Sequence, residues 1–372
     1  MQLSDSKFVS GLDLSEAYYK EAVAPILHKH FPELSYSAAL IGSGSEVLGF
    51  DTQMSSDHHW GPRVMIFLSV QTLADFKARV SQTLGLELPR TFMGYPTGFS
   101  APDQNNQGVQ LMAHSKQGPI NHRVEFNTLR QYLIDYLAFD IEQQLTPADW
   151  LSIPEQKLRS ITAGRIFHDD LHLQQLQERF SYYPHDVWLY LLASCWTRIE
   201  QEEHLMGRAG IVGDTIGSSL IGSRLVRDLM RLCFLMEKRY APYAKWFGTA
   251  FAQLDSGKAL QPILEKVQSA KDWEERQQHL AQAYEFVARR HNKLSITAPL
   301  TEKVSMFHER PFIVISMGVF SSAIAKAITD PAVKALATKP LVGSIDQISD
   351  STDILEKTLW RPIFRSLYSQ EN

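Results

Sequence analysis

The chain has 372 residues, 44% hydrophobic, 21% charged and 10% aromatic, a balance that supplies a core and excludes disordered and fibrous classes. Lys and Arg number 37 against 41 Asp and Glu, a net charge of −4. The basic excess that duplex nucleic acid draws on is missing, so any bound anion must meet a local patch. At about 100–200 residues per domain, the length predicts two domains.

In chain order, the first residues lack a basic segment followed by an apolar one. No later run approaches the roughly 18 uninterrupted apolar residues of a membrane span. The expectation is a cytoplasmic protein without membrane contact. Leu14, Tyr18, Ala22 and Ile26 recur at helical spacing behind Asp13 or Ser15, and Pro32 ends the pattern, which predicts a helix over 13–30. Two strand-type runs follow at 37–41 and 64–70, separated by a stretch rich in Gly, Ser, Asp and His. Residues 89–108 are rich in Pro and Gly, and a second pair of strands is expected at 109–114 and 122–127. The first half therefore reads as mixed α and β.

From Thr128 onward the periodicity is helical, with segments at 129–137, 146–150, 186–206, 218–239, 257–267 and 272–290. Residues 312–328 read as a strand followed by a helix. Periodicity fades over 139–145 and Pro147 and Pro154 punctuate the chain, which sets the domain boundary at 1–145 and 146–372. Asp169 and Asp170 read as caps of a helix beginning near Leu171. Cys195 and Cys233, the only cysteines, fall in apolar helical patterns and read as buried free thiols.

Chemistry concentrates in residues 39–68, ALIGSGSEVLGFDTQMSSDHHWGPRVMIFL. Gly42, Ser43, Gly44 and Ser45 directly follow the first apolar run. Such a turn can present successive N–H groups and hydroxyls to a phosphate, because glycine permits close approach and positive φ. Asp51 and Asp57 precede the second strand, so carboxylates and turn can face each other across adjacent strands. That suits a divalent cation on a nucleoside triphosphate, since Mg²⁺ takes one or two carboxylates plus phosphate oxygens. Arg63 either reaches a phosphate or covers the sheet edge.

The order apolar–Gly–Ser, about a dozen residues, then Ser-Asp, here Gly44-Ser45, Gly49 and Ser56-Asp57, resembles the active-site signature of the nucleotidyltransferase superfamily typified by DNA polymerase β and the aminoglycoside nucleotidyltransferases. The wider wording, GSGSEVLGFDTQMSSDHHWGPR with VWLYLLASCWTRI, GRAGIVGD and KRYAPYAKWFGTAF, resembles the bacterial domain-of-unknown-function family 4037, a nucleotidyltransferase-like group. The resemblance implies an α+β protein: a nucleotidyltransferase-like α/β domain with a mixed sheet, then a larger all-helical domain. It implies Asp57 as a metal-binding catalytic acid and Glu125, in HRVEFNT, as the third carboxylate; Glu125 reads equally as the exposed residue of an alternating strand. One departure stands out. Where the superfamily has a second acid this chain has Asp57-His58-His59, and His59 as a ligand favours Mn²⁺ or Zn²⁺ over Mg²⁺.

By the same resemblance, Glu202, Glu203 or Asp214 of the helical half supplies the general base for an acceptor hydroxyl. The glycine-rich stretch GRAGIVGDTIGS between two long helices reads as a shaped loop that approaches something closely. Arg224, Arg227, Asp228 and Arg231 fall on one helix face, suited either to closing over a triphosphate or to a salt-bridged surface. Lys245, among Tyr243 and Trp246, is the expected phosphate contact of the basic and aromatic segment. The leading expectation is transfer of a nucleoside monophosphate from NTP, with Mg²⁺ or Mn²⁺, to a small-molecule or protein acceptor. The alternative is a catalytically degenerate relative that binds nucleotides or proteins. A zinc hydrolase is disfavoured because no helical ligand spacing of the His-Glu-x-x-His kind occurs.

Overall fold

The computed structural model of the protein describes residues 8–57, 60–106 and 108–369. The chain forms two compact units, residues 1–144 with 157–181 and residues 145–156 with 182–372.

The first unit opens with α1 (Gly11–Tyr18), one π turn (Tyr19–Val23) and α2 (Ala24–His30). The π turn sits just ahead of Pro25. Pro25 has no N–H to donate, and the Ala24 N–H reaches back to the Tyr19 carbonyl instead, so the expected helix is continuous but widened there. Then come β1 (Ser37–Leu40), a single 3-10 turn (Gln53–Asp57), β2 (Arg63–Phe67) and α3 (Val70–Glu87). Four two-residue strands follow: β3 (Thr91–Phe92), β4 (Tyr95–Pro96), β5 (Gly98–Phe99) and β6 (Met112–Ala113). The strand expected at 109–114 shrinks to β6, paired with β5. After β7 (Arg123–Asn127) and α4 (Leu129–Leu137) the chain runs through α5 (Pro147–Ser152) and α6 (Glu155–Thr162), then β8 (Arg165–Asp169) and α7 (Leu173–Arg179).

The main sheet has the order β7-β2-β1-β8. β2 and β7 are parallel and β1 is antiparallel to both β2 and β8, so the sheet is mixed and the fold α+β, as the sequence implies. Alternation divides its faces. Ala38, Val64, Ile66, Val124 and Phe126 point into a core shared with Tyr18, Val23, Leu27, Val80 and Leu84, where each large apolar side chain is worth about 1.5–3 kcal/mol of burial. Arg63, Met65, Arg123 and Glu125 lie on the other face.

The second unit is helical: α8 (His185–Glu202), α9 (Leu205–Ile211), α10 (Thr215–Met236), α11 (Ala244–Ala252), α12 (Asp255–Ser269) and α13 (Trp273–Lys293). A hairpin of β9 (Ser305–Phe307) and β10 (Arg310–Val314) precedes α14 (Val319–Ala327), α15 (Pro331–Ala337), α16 (Ile345–Ile348), α17 (Thr352–Glu356) and α18 (Arg361–Ser366). Helix α8 is buried on nearly every side, from Val187 through Trp196, as befits the central element of an all-helical core. Among the described residues no helix is long and apolar enough to cross a membrane.

Candidate functional site

The turn after β1 is built by close approach on both sides. Gly42 has φ +85° and its N–H donates to the Ser160 carbonyl at 2.9 Å; the Tyr132 hydroxyl occupies the space a Cβ would need. A substituent at Gly44, φ +148°, would stand 2.6 Å from the Glu46 carboxylate and 2.7 Å from Arg63 Nη2. Arg63 is therefore turned inward. Its Nη2 donates to the Ser43 carbonyl at 2.8 Å and pairs with Glu46 at 2.5 Å, the two side chains being 10% and 4% exposed. This guanidinium is occupied in the turn itself, which accounts for its position at the start of β2 without a phosphate. The Ser43 hydroxyl lies 3.4 Å from that of Tyr136. Burial, then the neighbouring Tyr136, pushes the Tyr132 hydroxyl up, so it remains neutral. Among the described residues, the N–H groups of Ser43, Gly44 and Ser45 have no hydrogen-bond partner.

β1 ends where β2 and β7 begin, so the Gly/Ser turn lies at the end of the sheet from which those two strands start. Arg63 stands in register with Arg123 and Met65 with Glu125. Glu125, 48% exposed, accepts from Arg123 Nη2 at 2.6 Å. It lies one strand away from the strand that follows the Gly/Ser turn, on the same face as Arg63.

Asp51 has another task. Its Oδ2 accepts from the Gly11 N–H at 2.7 Å and from Trp60 Nε1 at 3.0 Å, joining the start of α1 to the loop. That oxygen is committed to holding the loop against the start of α1. Asp57 closes the 3-10 turn, but its side chain, like all of His58 and His59, lies outside the described residues. The loop carrying them is thus anchored twice, by Asp51 with buried Trp60 and by Glu46 with Arg63.

Expected site residues of the second unit have local partners. Glu203 is buried and accepts from the N–H groups of Ile315 (2.7 Å), Ser316 (3.3 Å) and Met317 (3.1 Å). Burial raises its pKa more than those bonds lower it. Asp214 caps α10, accepting from the Gly217 N–H at 2.7 Å. Neither carboxylate is disposed as a general base, because each is already bound to backbone amides. Glu202 pairs with Arg224, Nε to Oε2 2.9 Å, and Arg227 pairs with Asp350 at 2.5 Å. Lys245 is exposed, with Nζ 5.4 Å from the Trp246 ring centre. The glycine-rich stretch is mostly helical rather than a loop, comprising the end of α9 and the first turn of α10 joined by residues 212–214. Gly207 packs on Phe312, Gly210 on Trp273 and Gly217 on the capping Asp214, which explains why side chains are excluded there.

Sequence reasoning missed Glu46, Tyr132, Tyr136 and Ser160, the residues that shape the turn. Glu46 was in view, directly after GSGS, but its partner comes 17 positions later and meets it only because β2 returns antiparallel to β1. Cys195 and Cys233 are buried and free as expected; burial pushes the Cys233 thiol up to about 12. Among the described residues, no group of three or more His, Cys, Asp or Glu is placed to hold a metal ion.

No curated protein matches the chain. A crystal structure of a nucleotidyltransferase-like protein from Exiguobacterium sibiricum 255-15 aligns over 78% of this chain and 83% of its own, at 10% identity and a TM-score of 0.29, a likeness too slight to bear on the site. The sequence model of the family described as "Domain of unknown function (DUF4037)" matches residues 150–247.

Proposed function

We propose that the chain binds the phosphates of a nucleoside triphosphate at the turn following β1 and transfers the nucleoside monophosphate group to a hydroxyl of a small-molecule acceptor, with release of pyrophosphate. The observation that supports this is the row of unpartnered N–H groups at Ser43, Gly44 and Ser45, with two serine hydroxyls, following β1 in the sheet whose strand β7 carries Glu125. Donors already fixed in position favour the charge that develops on phosphate oxygens, at no cost of reorganisation. The donor chemistry suits a divalent cation: Asp57 and Glu125 offer hard oxygens, and His59 would favour Mn²⁺. When bound with the triphosphate, such an ion would offset its charge. Ser43 and Ser45 would hold the phosphates and Glu125 would orient the cation.

A second reading, binding without transfer, is favoured by the commitment of Asp51 to Gly11 and Trp60. With Asp51 bonded elsewhere and histidines after Asp57, the acids are few. One experiment separates the two. Radiolabelled NTPs, Mg²⁺ or Mn²⁺ and a cell extract are incubated with the protein, and label transfer and pyrophosphate are measured. Transfer that falls about 100-fold or more in Asp57→Ala and in Glu125→Ala supports the enzyme. Nucleotide binding with no transfer supports the second reading, and absence of both removes each.

A further inference from the structure

We propose that Glu46 and Arg63 are positioning residues of this cradle: the buried pair fixes the Ser43–Gly44 peptide so that the Gly44 N–H is presented to the triphosphate, and the guanidinium touches no phosphate. The proposal rests on the nucleotide reading above and adds to it how the donors are held.

The geometry is that of a planar trans peptide, in which C=O and N–H point in opposite directions. No cis peptide is present among the described residues. The Ser43 carbonyl is held inward by Arg63 Nη2 at 2.8 Å. The Gly44 N–H, across the same peptide, must then point away from Arg63, and it has no partner. Only a residue without Cβ fits, since the Glu46 carboxylate and Arg63 Nη2 fill that volume. Glu46 completes the device. Its carboxylate stands 2.5 Å from the same Nη2 as an ion pair, so one guanidinium nitrogen sits between carbonyl and carboxylate. A buried arginine without an acid beside it is costly. With Glu46 present the pair is neutral, and the attraction for an anion comes from oriented amides rather than from the charge of Arg63.

This reverses the sign of an ordinary experiment. Were Arg63 a phosphate contact, removing the competing acid would free its charge and tighten anion binding. If the pair positions the peptide, the same change loosens the turn and weakens binding. Inorganic tripolyphosphate and ATP are titrated calorimetrically into the full chain, its Glu46→Gln variant and its Arg63→Lys variant, with thermal unfolding recorded for each. Both variants should bind tripolyphosphate about tenfold more weakly when titrated well below their unfolding midpoints, the midpoint of Glu46→Gln itself being lowered because the buried guanidinium loses its acid. Arg63→Lys keeps the charge but loses the rigid planar guanidinium whose Nη2 meets both oxygens. Binding by Glu46→Gln as tight as that of the native chain, or tighter, overturns the proposal, as does unchanged binding by Arg63→Lys. A native chain that binds neither probe sinks the nucleotide reading itself.

Discussion

His291 sits fully buried against the Trp196 and Phe320 rings, with Nε2 3.2 Å from the Thr297 hydroxyl. Burial disfavours its charged form and pushes the imidazole down from 6.5 to about 4. In the unfolded chain it protonates near pH 6.5, so the unfolded state binds a proton that the fold excludes. This stabilisation is complete above about pH 6.5 and is lost progressively as pH falls toward 4, by roughly 3 kcal/mol in all. Denaturant unfolding at pH 7.5 and 4.5 should show that extra loss in the native chain and not in His291→Phe; equal losses in the two proteins would contradict it. Glu203 follows the same physics with the opposite charge: burial raises its pKa and three backbone N–H groups hold it in place. A carboxylate so enclosed shapes the segment before α14.

Helix ends account for several acids that a sequence reading assigns to chemistry. Asp214 belongs to α10, where it satisfies the Gly217 amide, and Asp214→Ala should cost about 1 kcal/mol of stability through the lost cap. Nucleotide binding by that variant should equal the native value in a parallel titration; a selective loss of binding would restore Asp214 to the site. The long helices α8, α10, α12 and α13 are legible because their apolar residues keep a 3.6-residue period, and Thr146 and Asp272 announce their helix starts as caps. Helix α3 carries the same period, with Leu73, Phe76, Val80 and Leu84 behind the capping Ser69, yet it is not among the helices expected from the sequence. It escapes notice because Val70 continues the apolar run of β2 and most of the helix surface is exposed. β8 is hidden for a different reason: all five of its residues are half-buried, so no alternation marks it. In the candidate site, the Gly/Ser turn can be read from composition. The tie between Glu46 and Arg63, and the capture of Asp51 by Gly11 and Trp60, depend on tertiary contacts that no local pattern encodes.

Across the second unit, distant stretches of chain are joined by a buried ion cluster. Asp149 accepts from Arg361 Nη2 and from Arg365 Nε, both at 2.7 Å, while its other oxygen completes the capping box with Thr146. Burial would raise this carboxyl, but the bonds from Arg365 and Thr146 and the charge of Arg361 outweigh it and hold the pKa below the usual 3.8. Removing one partner leaves a buried charge undercompensated. Arg361→Ala should therefore destabilise the unit by about 3 kcal/mol and expose residues after 356 to limited proteolysis. An unfolding midpoint equal to that of the native chain would count against this account.

The return of residues 157–181 to the first unit has a bearing on how the protein is made. β1 finds one hydrogen-bonded neighbour in β2 early, but its other flank waits for Arg165–Asp169. During synthesis that flank stays open while residues 68–164, of which 145–156 belong to the second unit, emerge from the ribosome. An unpaired strand edge is a template for pairing with other chains. The nascent polypeptide is thus most exposed to misassociation in the interval before β8 leaves the exit tunnel, and slow translation across 145–164 would lengthen that interval.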